Sequence, residues 1–334
     1  MTPERNILAT NFLAGSGWGT AVRTDLAGDA SMRRYERLRT PSGETAILMD
    51  APPETNADIS PFVTVAQHLT GIGLSAPQIF GEDTASGFLL LEDLGDGLFA
   101  RIIPDAPEME RPLYRAATDL LIALHESGTP SLTLFGPELM AEQASLVFDT
   151  WVAAITGAND TGVSEGFRAR FQDLLFEATQ GKPVMILRDY HAENLIWLPD
   201  RSGVARVGLL DFQDAMLAHP AYDLVSLLQD VRRDVPASFE QAMVDRYLTH
   251  SGQGDHDFRT AYVVLGVQRN LRILAVFARL ASTYGKPFYA SLIPRTWAHL
   301  MRGLEHPALA PIASTLNETL PRPTASNLQK LVPV

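Results

Sequence analysis

The sequence predicts an α+β protein in which a small antiparallel sheet precedes a larger, mainly helical region. Short β-type segments joined by turns open the chain between Ala21 and Asp50, and such runs bounded by Gly, Pro, Asp and Ser are typical of hairpin strands. Beyond residue 107, most segments place apolar residues at helical spacing. At 334 residues, the chain is long enough for one large domain or two lobes.

We expect three regions along the chain. They are an N-terminal lobe of residues 1–94, a C-terminal lobe of residues 95–305 and a tail of residues 306–334. The tail is rich in Pro, Thr and Asn, and this composition predicts loose packing on the surface.

The expected elements of the N-terminal lobe begin with a helix that has Pro3 in its first turn. The following strands alternate with turns, and a second helix interrupts them. The expected helices cover residues 3–14 and 59–69, and the expected strands cover residues 21–25, 33–39, 45–50, 78–80 and 88–91.

The expected elements of the C-terminal lobe are mostly helices. The first has a clear apolar stripe that includes Leu113, Leu120 and Leu124. The expected helices cover residues 111–126, 139–155, 164–179, 221–231, 238–248, 257–280 and 294–304.

The composition restricts the possible partners. A net charge of −12 argues against nucleic acid or an anionic membrane as a general partner. The chain has no cysteine, so it has neither disulfides nor a catalytic thiolate. No signal peptide or membrane-spanning apolar stretch is apparent, and we expect a cytoplasmic protein.

The segment from Leu187 to Asp211 carries the clearest functional pattern. Asp189 follows one apolar run, Asn194 comes five residues later, and Asp211 ends a further apolar run. This is the arrangement of kinases, in which the first Asp orients the attacking hydroxyl and takes its proton. Asn194 and Asp211 would hold Mg²⁺, which prefers oxygen ligands and needs few from the protein.

These residues resemble the aminoglycoside phosphotransferase and choline kinase-like family. The loop keeps Asp189, His191 and Asn194 of the family pattern, but has Leu187 where the family places its first His. Further segments look like the bacterial branch of anomeric N-acetylmuramate and N-acetylglucosamine kinases. They are Gly28-Asp-Ala-Ser-x-Arg-Arg-Tyr, Met49-Asp-Ala-Pro-Pro-Glu, Leu90-Leu-Glu-Asp-Leu-Gly and Arg269-Asn-Leu-Arg-Ile-Leu.

The resemblance implies a protein kinase-like two-lobed fold, with ATP and Mg²⁺ as cofactors. It also implies a small-molecule acceptor, namely a sugar whose anomeric hydroxyl is phosphorylated. Backbone groups near Glu92 and Leu94 would then bind the adenine edge.

The phosphate-binding part departs from the kinase pattern. Met49 stands where protein kinases have a lysine, and no lysine precedes Lys182. An arginine must then neutralise phosphate charge. Arg33 and Arg34 are the candidates, with Arg34 preferred because its strand face carries an apolar residue, and Ser31 could contribute a hydroxyl or backbone N–H.

Several other polar residues are candidates for supporting roles. His191 and Glu193 lie in the catalytic loop and are candidates for contact with the acceptor, and His191 could also orient Asp189. Arg269 and Asn270 interrupt a long apolar helix, so they either line the acceptor site or form a salt bridge.

Two further carboxylates stand close to the catalytic segment in the sequence. Asp223 begins a helix and is expected to support the catalytic loop by accepting buried backbone N–H groups. Asp214 could join the metal site or lie on the surface.

Two alternatives remain open at this point. The net negative charge of the chain favours binding of cationic acceptors, such as aminoglycosides or choline-like amines. The absence of the N-terminal lysine is consistent with a nucleotide-binding pseudokinase that acts as a regulatory module. Such a protein would not need Asp189, Asn194 and Asp211 together, which argues against this alternative. The sequence does not assign an oligomeric state.

Overall fold

A computed structural model describes residues 2–26, 33–54, 58–158, 160–252 and 254–332. The strands are β1 Val22–Leu26, β2 Arg34–Arg39, β3 Thr45–Asp50, β4 Ile79–Asp83, β5 Phe88–Glu92, β6 Val184–Ile186, β7 Leu195–Trp197, β8 Val207–Leu209 and β9 Met216–Ala218. The helices are α1 Pro3–Gly15, α2 Ser60–Gly71, α3 Phe99–Asp105, α4 Glu110–Glu126, α5 Pro137–Val147, α6 Ala153–Thr156, α7 Thr161–Ala178, α8 Ala221–Leu228, α9 Ala237–Ser251, α10 Asp255–Ser282, α11 Phe288–Leu304, α12 Ala310–Thr319 and α13 Ala325–Lys330.

The chain divides into two compact units. The first contains Met1–Ala123, Ser127–Pro130 and Ala192–Ala215, and the second contains Leu124–Glu126, Ser131–His191 and Met216–Val334. The predicted catalytic segment is therefore shared, with its beginning in the second unit and its end in the first. The lobe and tail boundaries expected from the sequence remain a proposal.

The first unit is built on a five-stranded antiparallel sheet with the order β1-β2-β3-β5-β4. The sequence predicted the bounds of β3 correctly and those of the other strands to within a few residues. Two neighbouring strands, β2 and β3, pair along their full length from Arg34↔Asp50 to Arg39↔Thr45. The α+β prediction is confirmed, because this antiparallel sheet precedes a chain that is mostly helical.

Helix α1 packs on one face of this sheet. An ion pair anchors it, with Arg5 Nη2 2.7 Å from Asp50 Oδ1 and the guanidinium 3.8 Å above the centre of the Phe88 ring. The apolar core beneath the helix consists of Ala9, Leu13, Leu38, Ala46, Leu48, Phe88 and Leu90. The alternation of strand side chains therefore assigns Arg34, Glu36 and Leu38 to the α1 side of the sheet.

The second unit is organised around α10. This helix is long and apolar enough to span a membrane by length and composition, but 83% of its most apolar stretch is buried inside the structure. It packs against α11, α5, α8 and α7. We therefore interpret it as a core helix.

Two expected helices differ from the observed ones. The helix expected over residues 139–155 is interrupted by a π-helical turn at Phe148–Val152. The helix expected to begin at Pro294 begins instead at Phe288 and contains that proline. The sequence interpretation took Pro294 as a first-turn residue, but burial of Leu292 and Ile293 offsets the lost backbone hydrogen bond.

The expectation that residues 306–334 pack loosely is wrong. This region forms α12 and α13, and it buries Leu309, Ile312, Leu316 and Leu331 completely. Polar contacts add to the packing, because the Trp151 indole N–H donates to the Pro321 carbonyl at 2.9 Å. Pro and Thr occupy the helix starts and caps of this region, while its leucines supply the buried face.

We expect Leu316→Ala to lower the free energy of unfolding by about 2–4 kcal/mol, since it leaves a cavity at a fully buried position. Denaturant unfolding of the whole chain measures the change. Asn317→Ala is the matched control, because Asn317 is exposed on the same helix. Equal stability of the two variants would contradict the packing of the C-terminal region.

Candidate active site

The catalytic segment begins at the end of β6, where the backbone takes an unusual conformation. The backbone φ of Arg188 is 68°, in the left-handed region that residues other than glycine rarely adopt. Asp223 stabilises this turn, because its carboxylate accepts the N–H of Leu187 at 2.5 Å and the N–H of Arg188 at 2.9 Å. The strained turn gives Asp189 a fixed backbone position.

Asp223 is completely buried. Burial raises the pKa of its carboxyl to about 7, although the two backbone hydrogen bonds oppose this shift. A carboxyl that is removed from water and bound to two backbone donors has a structural role. This is the arrangement that the sequence led us to expect for Asp223.

Asp189 lies in the second unit among positive charges. Burial raises its pKa, but Arg272 lowers it and Arg269, His191 and Arg188 lower it further, so that the net effect is a pKa below the ordinary value. Arg272 Nη2 is 3.7 Å from Asp189 Oδ1. Asp189 is therefore ionised at neutral pH, as a proton acceptor must be.

His191 is buried two residues further along. Its Nε2 lies 3.3 Å from the guanidinium of Arg232. Because arginine can only donate, Nε2 accepts and the ring proton lies on Nδ1. Burial and the charge of Arg232 lower the pKa of His191 to about 4, so the ring is neutral at physiological pH.

The end of the segment lies in the first unit, on the hairpin formed by β7 and β8. Leu195 pairs with Leu209, and the N–H of Leu210 donates to the carbonyl of Asn194 at 3.0 Å. This register places Asn194 directly across the hairpin from the residue that precedes Asp211. The two expected metal ligands therefore occupy the same end of one hairpin.

Asp211 is held in a conformation similar to that of Arg188. Its φ is 55°, and Oδ1 accepts the side-chain N–H of Gln213 at 2.7 Å. The next residue, Phe212, is fully buried and packs against Phe62 of α2, with the ring centres 4.8 Å apart and the rings tilted by 33°. This buried ring fixes the hairpin end and leaves the carboxylate of Asp211 exposed.

The donor set at this hairpin end fits Mg²⁺. Asp211 offers an exposed carboxylate and Asn194 a half-buried amide, and both are hard oxygen ligands. No group of three or more His, Asp or Glu side chains could hold a metal in the described parts of the chain. A metal bound here would therefore take its remaining ligands from phosphate and water. Asp214 is exposed, and its part in the metal site stays open.

The segment after β5, where an adenine edge is expected, is fixed by ion pairs. Arg37 of β2 contacts Asp93 at 2.9 Å and Asp96 at 2.8 Å. The side chain of Glu92 is paired with Arg201, and its N–H donates to the Gln78 carbonyl at 2.8 Å.

These contacts involve the side chain and the N–H of Glu92. The other adenine candidate, Leu94, is buried. Its side chain packs near Gly208, since a Cβ added there would lie 3.1 Å from Leu94 Cδ1.

The phosphate-binding candidates are only partly described. Ser31 lies outside the described residues. Arg34 is exposed on the α1 side of the sheet, so the apolar residue that favoured it, Leu38, belongs to the α1 core. Arg33 is half-buried and immediately precedes β2. The structure thus removes the reason for preferring Arg34 over Arg33.

The residues expected to contact the acceptor differ in their solvent exposure. Glu193 is exposed, whereas Arg269 and Asn270 are buried inside the second unit. The guanidinium of Arg269 donates to Ser226 Oγ at 2.8 Å, and the amide of Asn270 donates to Gln229 Oε1 at 3.0 Å. Their burial argues against direct contact with an acceptor.

Sequence reasoning missed Arg272 as a site residue. It interrupts the apolar character of α10 just as Arg269 does, but it lies one turn further on and reaches Asp189. Both arginines interrupt the apolar sequence of the helix, and only the tertiary structure distinguishes them.

Comparisons with known proteins show which sequences and folds this chain is similar to. The chain is 39% identical to an N-acetylmuramate/N-acetylglucosamine kinase of Caulobacter vibrioides, over 96% of this chain and 98% of that protein. Its fold is similar to that of a choline/ethanolamine kinase family protein from Mesorhizobium loti, with a TM-score of 0.64, 16% identity and coverage of 94% and 99%. An aminoglycoside phosphotransferase with bound ADP has a TM-score of 0.60 at 12% identity, with coverage of 90% and 97%.

The structural neighbours confirm the kinase-like fold predicted from the sequence. The model of one protein family, the phosphotransferase enzyme family, matches residues 22–262. The match covers well over half of the chain and includes every residue of the catalytic segment. The chain therefore belongs to the phosphotransferase enzyme family.

Proposed function

We propose that this chain is an ATP-dependent kinase that transfers the γ-phosphoryl group to the anomeric hydroxyl of an N-acetylated amino sugar. The sugar assignment is supported by the 39% identity, over nearly the full length of both chains, to the Caulobacter N-acetylmuramate/N-acetylglucosamine kinase. The transfer of phosphate to a hydroxyl follows from the phosphotransferase family itself. The anomeric position is the finer part of the proposal.

The proposed roles follow the chemistry of the side chains. Asp189 orients the acceptor hydroxyl and accepts its proton late in the reaction, since phosphoryl transfer has a loose transition state. An anomeric hydroxyl is more acidic than an ordinary alcohol, so a carboxylate with a lowered pKa is a sufficient base. Asn194 and Asp211 would hold Mg²⁺, which neutralises charge on the phosphate oxygens of ATP.

The missing lysine leaves the phosphate contacts to other groups. We assign this role to Arg33 or Arg34 together with Ser31. The neighbouring Arg37 is less suited, because Asp93 and Asp96 already compensate its charge. We also propose a cytoplasmic location, where ATP is available.

The proposal is tested by ADP release from Mg·ATP over a panel of free sugars, aminoglycosides and choline. We expect release with N-acetylmuramate or N-acetylglucosamine, and its loss when the anomeric hydroxyl is methylated. Release only with amines would move the acceptor class to cationic substrates. ATP binding without turnover of any acceptor would favour the pseudokinase alternative.

Asp189→Asn should lower kcat by roughly 100-fold or more, because the amide cannot accept the proton of the hydroxyl. The Kd of ATP should change little, since Asp189 acts on the acceptor. Single-turnover kinetics and nucleotide titration measure the two effects. Asp200→Asn, at an exposed carboxylate, is the control. Turnover of Asp189→Asn at the parent rate would show that Asp189 is not the base.

Asp211→Asn should raise the Mg²⁺ concentration needed for half-maximal activity by roughly 10-fold or more, since it removes the one carboxylate assigned to the metal. The measurement is a Mg²⁺ titration of ADP release at fixed ATP, with Asp200→Asn as the reference. The same titration of Asp214→Asn tells whether that residue joins the metal site. An unchanged Mg²⁺ requirement in Asp211→Asn would contradict the assignment.

Asp223→Asn should lower both stability and kcat, because an amide cannot accept the N–H groups of Leu187 and Arg188 together. Leaving one buried donor unpaired costs about 1–3 kcal/mol in the free energy of unfolding. Denaturant unfolding and steady-state kinetics measure the two losses, and Asp173→Asn on the surface of α7 is the control. A folded variant with the parent kcat would exclude a positioning role for Asp223.

A further inference from the structure

The contact between Arg272 and Asp189 is electrostatic in character. The distance of 3.7 Å between Nη2 and Oδ1 is longer than the about 2.7–2.9 Å of a charge-assisted hydrogen bond. A guanidinium carries five N–H donors in a planar fork. The contact therefore uses the charge of Arg272 without making a close hydrogen bond to Asp189.

Arg272 also marks a break in the burial of α10. Between Val264 and Ala275, every residue of this helix is buried except Arg272. Its side chain is 15% exposed, and that of Asp189 is 36% exposed. Within this buried stretch of α10, Arg272 is thus the residue that reaches solvent, beside the carboxylate assigned to the acceptor hydroxyl.

The charges near Asp189 have the sign opposite to that of the whole chain. The net charge is −12, yet Arg272, Arg269 and Arg188 all act on Asp189. Positive surroundings favour an anionic ligand and disfavour a cationic one. This observation disfavours the cationic acceptors that the overall composition had left open.

We propose that Arg272 recognises a carboxylate on the acceptor, so that the chain prefers N-acetylated sugars that carry an acid group. N-Acetylmuramate is such a sugar, with a lactyl ether two ring carbons from the anomeric carbon. The guanidinium fork matches a carboxylate in a bidentate geometry. Arg272 also compensates the repulsion between an acidic acceptor and Asp189. This inference rests on the proposed sugar kinase function.

The neighbouring arginines do not suit this role. Arg269 is 2% exposed and donates to Ser226, so it contributes charge without reaching a ligand. The guanidinium of Arg188 lies 5.5 Å from the centre of the Phe135 ring. Arg272 therefore acts as the specificity-determining residue, while Arg269 supports the local positive charge.

The test compares N-acetylmuramate with its methyl ester, which lacks the negative charge and carries one additional methyl group. For the parent chain, we expect a kcat/KM about 10- to 100-fold higher for the acid, as a charged hydrogen-bonded pair would give. Arg272→Gln should bring the ratio of the two values close to one. Arg272→Lys should keep an intermediate ratio, since it retains the charge and loses the fork.

The ratio separates recognition from any effect of Arg272 on Asp189, because a change in the base affects both acceptors equally. Turnover of N-acetylglucosamine, which has no carboxylate, shows that each variant is folded and active. Arg279→Gln is the matched control, at an exposed arginine on the same helix, and should keep the parent ratio.

An unchanged ratio in Arg272→Gln, or equal kcat/KM values for acid and ester in the parent chain, would overturn the inference and leave the sugar kinase function intact. Failure of the parent chain to phosphorylate the acid, the ester and N-acetylglucosamine would instead refute the proposed function, and the inference with it.

Discussion

The catalytic segment depends on one buried carboxylate that binds two backbone N–H groups. Asp223 holds Leu187 and Arg188 in a turn, and the left-handed conformation of Arg188 is unfavourable by itself, by about 1–2 kcal/mol. Without Asp223, two buried donors would also lack an acceptor. The position of Asp189, and hence the direction of its carboxylate, follows from this interaction. Strain of this kind is typical of functional sites that the surrounding structure holds in place.

The first unit also contains a residue with positive φ next to a buried group, but there the buried group is an aromatic ring instead of a carboxylate. Asp211 also has a positive φ, and the burial of Phe212 against Phe62 fixes its position. Each proposed catalytic carboxylate thus follows a short strand and adjoins a buried anchor. The electrostatic surroundings of Asp189 complete its site, because arginines lower its pKa against the effect of burial. They also make the surroundings of Asp189 positive in a chain whose net charge is −12.

The sequence was sufficient where the determinants are local. The strand Thr45–Asp50 and the Asp189, Asn194 and Asp211 pattern could be identified because strand periodicity and motif spacing lie within short segments. The sequence was insufficient where contacts between distant segments determine the secondary structure or the burial of a residue. Met216–Ala218 forms a strand by pairing with β6 and by a bridge between Leu217 and Leu134, both distant in sequence, and Leu316 is buried within a segment whose composition resembles a loop. Arg269 and Arg272 look equivalent along the helix, and their different burial depends on the neighbouring elements.

A strained turn thus positions Asp189 among arginines, and we propose that the chain phosphorylates the anomeric oxygen of an N-acetylated amino sugar. The most direct test is phosphorus–proton NMR of the product formed from Mg·ATP and N-acetylmuramate. We expect a phosphorus nucleus coupled to the anomeric proton. Coupling to the protons of the exocyclic methylene group, or the absence of any phosphorylated sugar, would contradict this proposal.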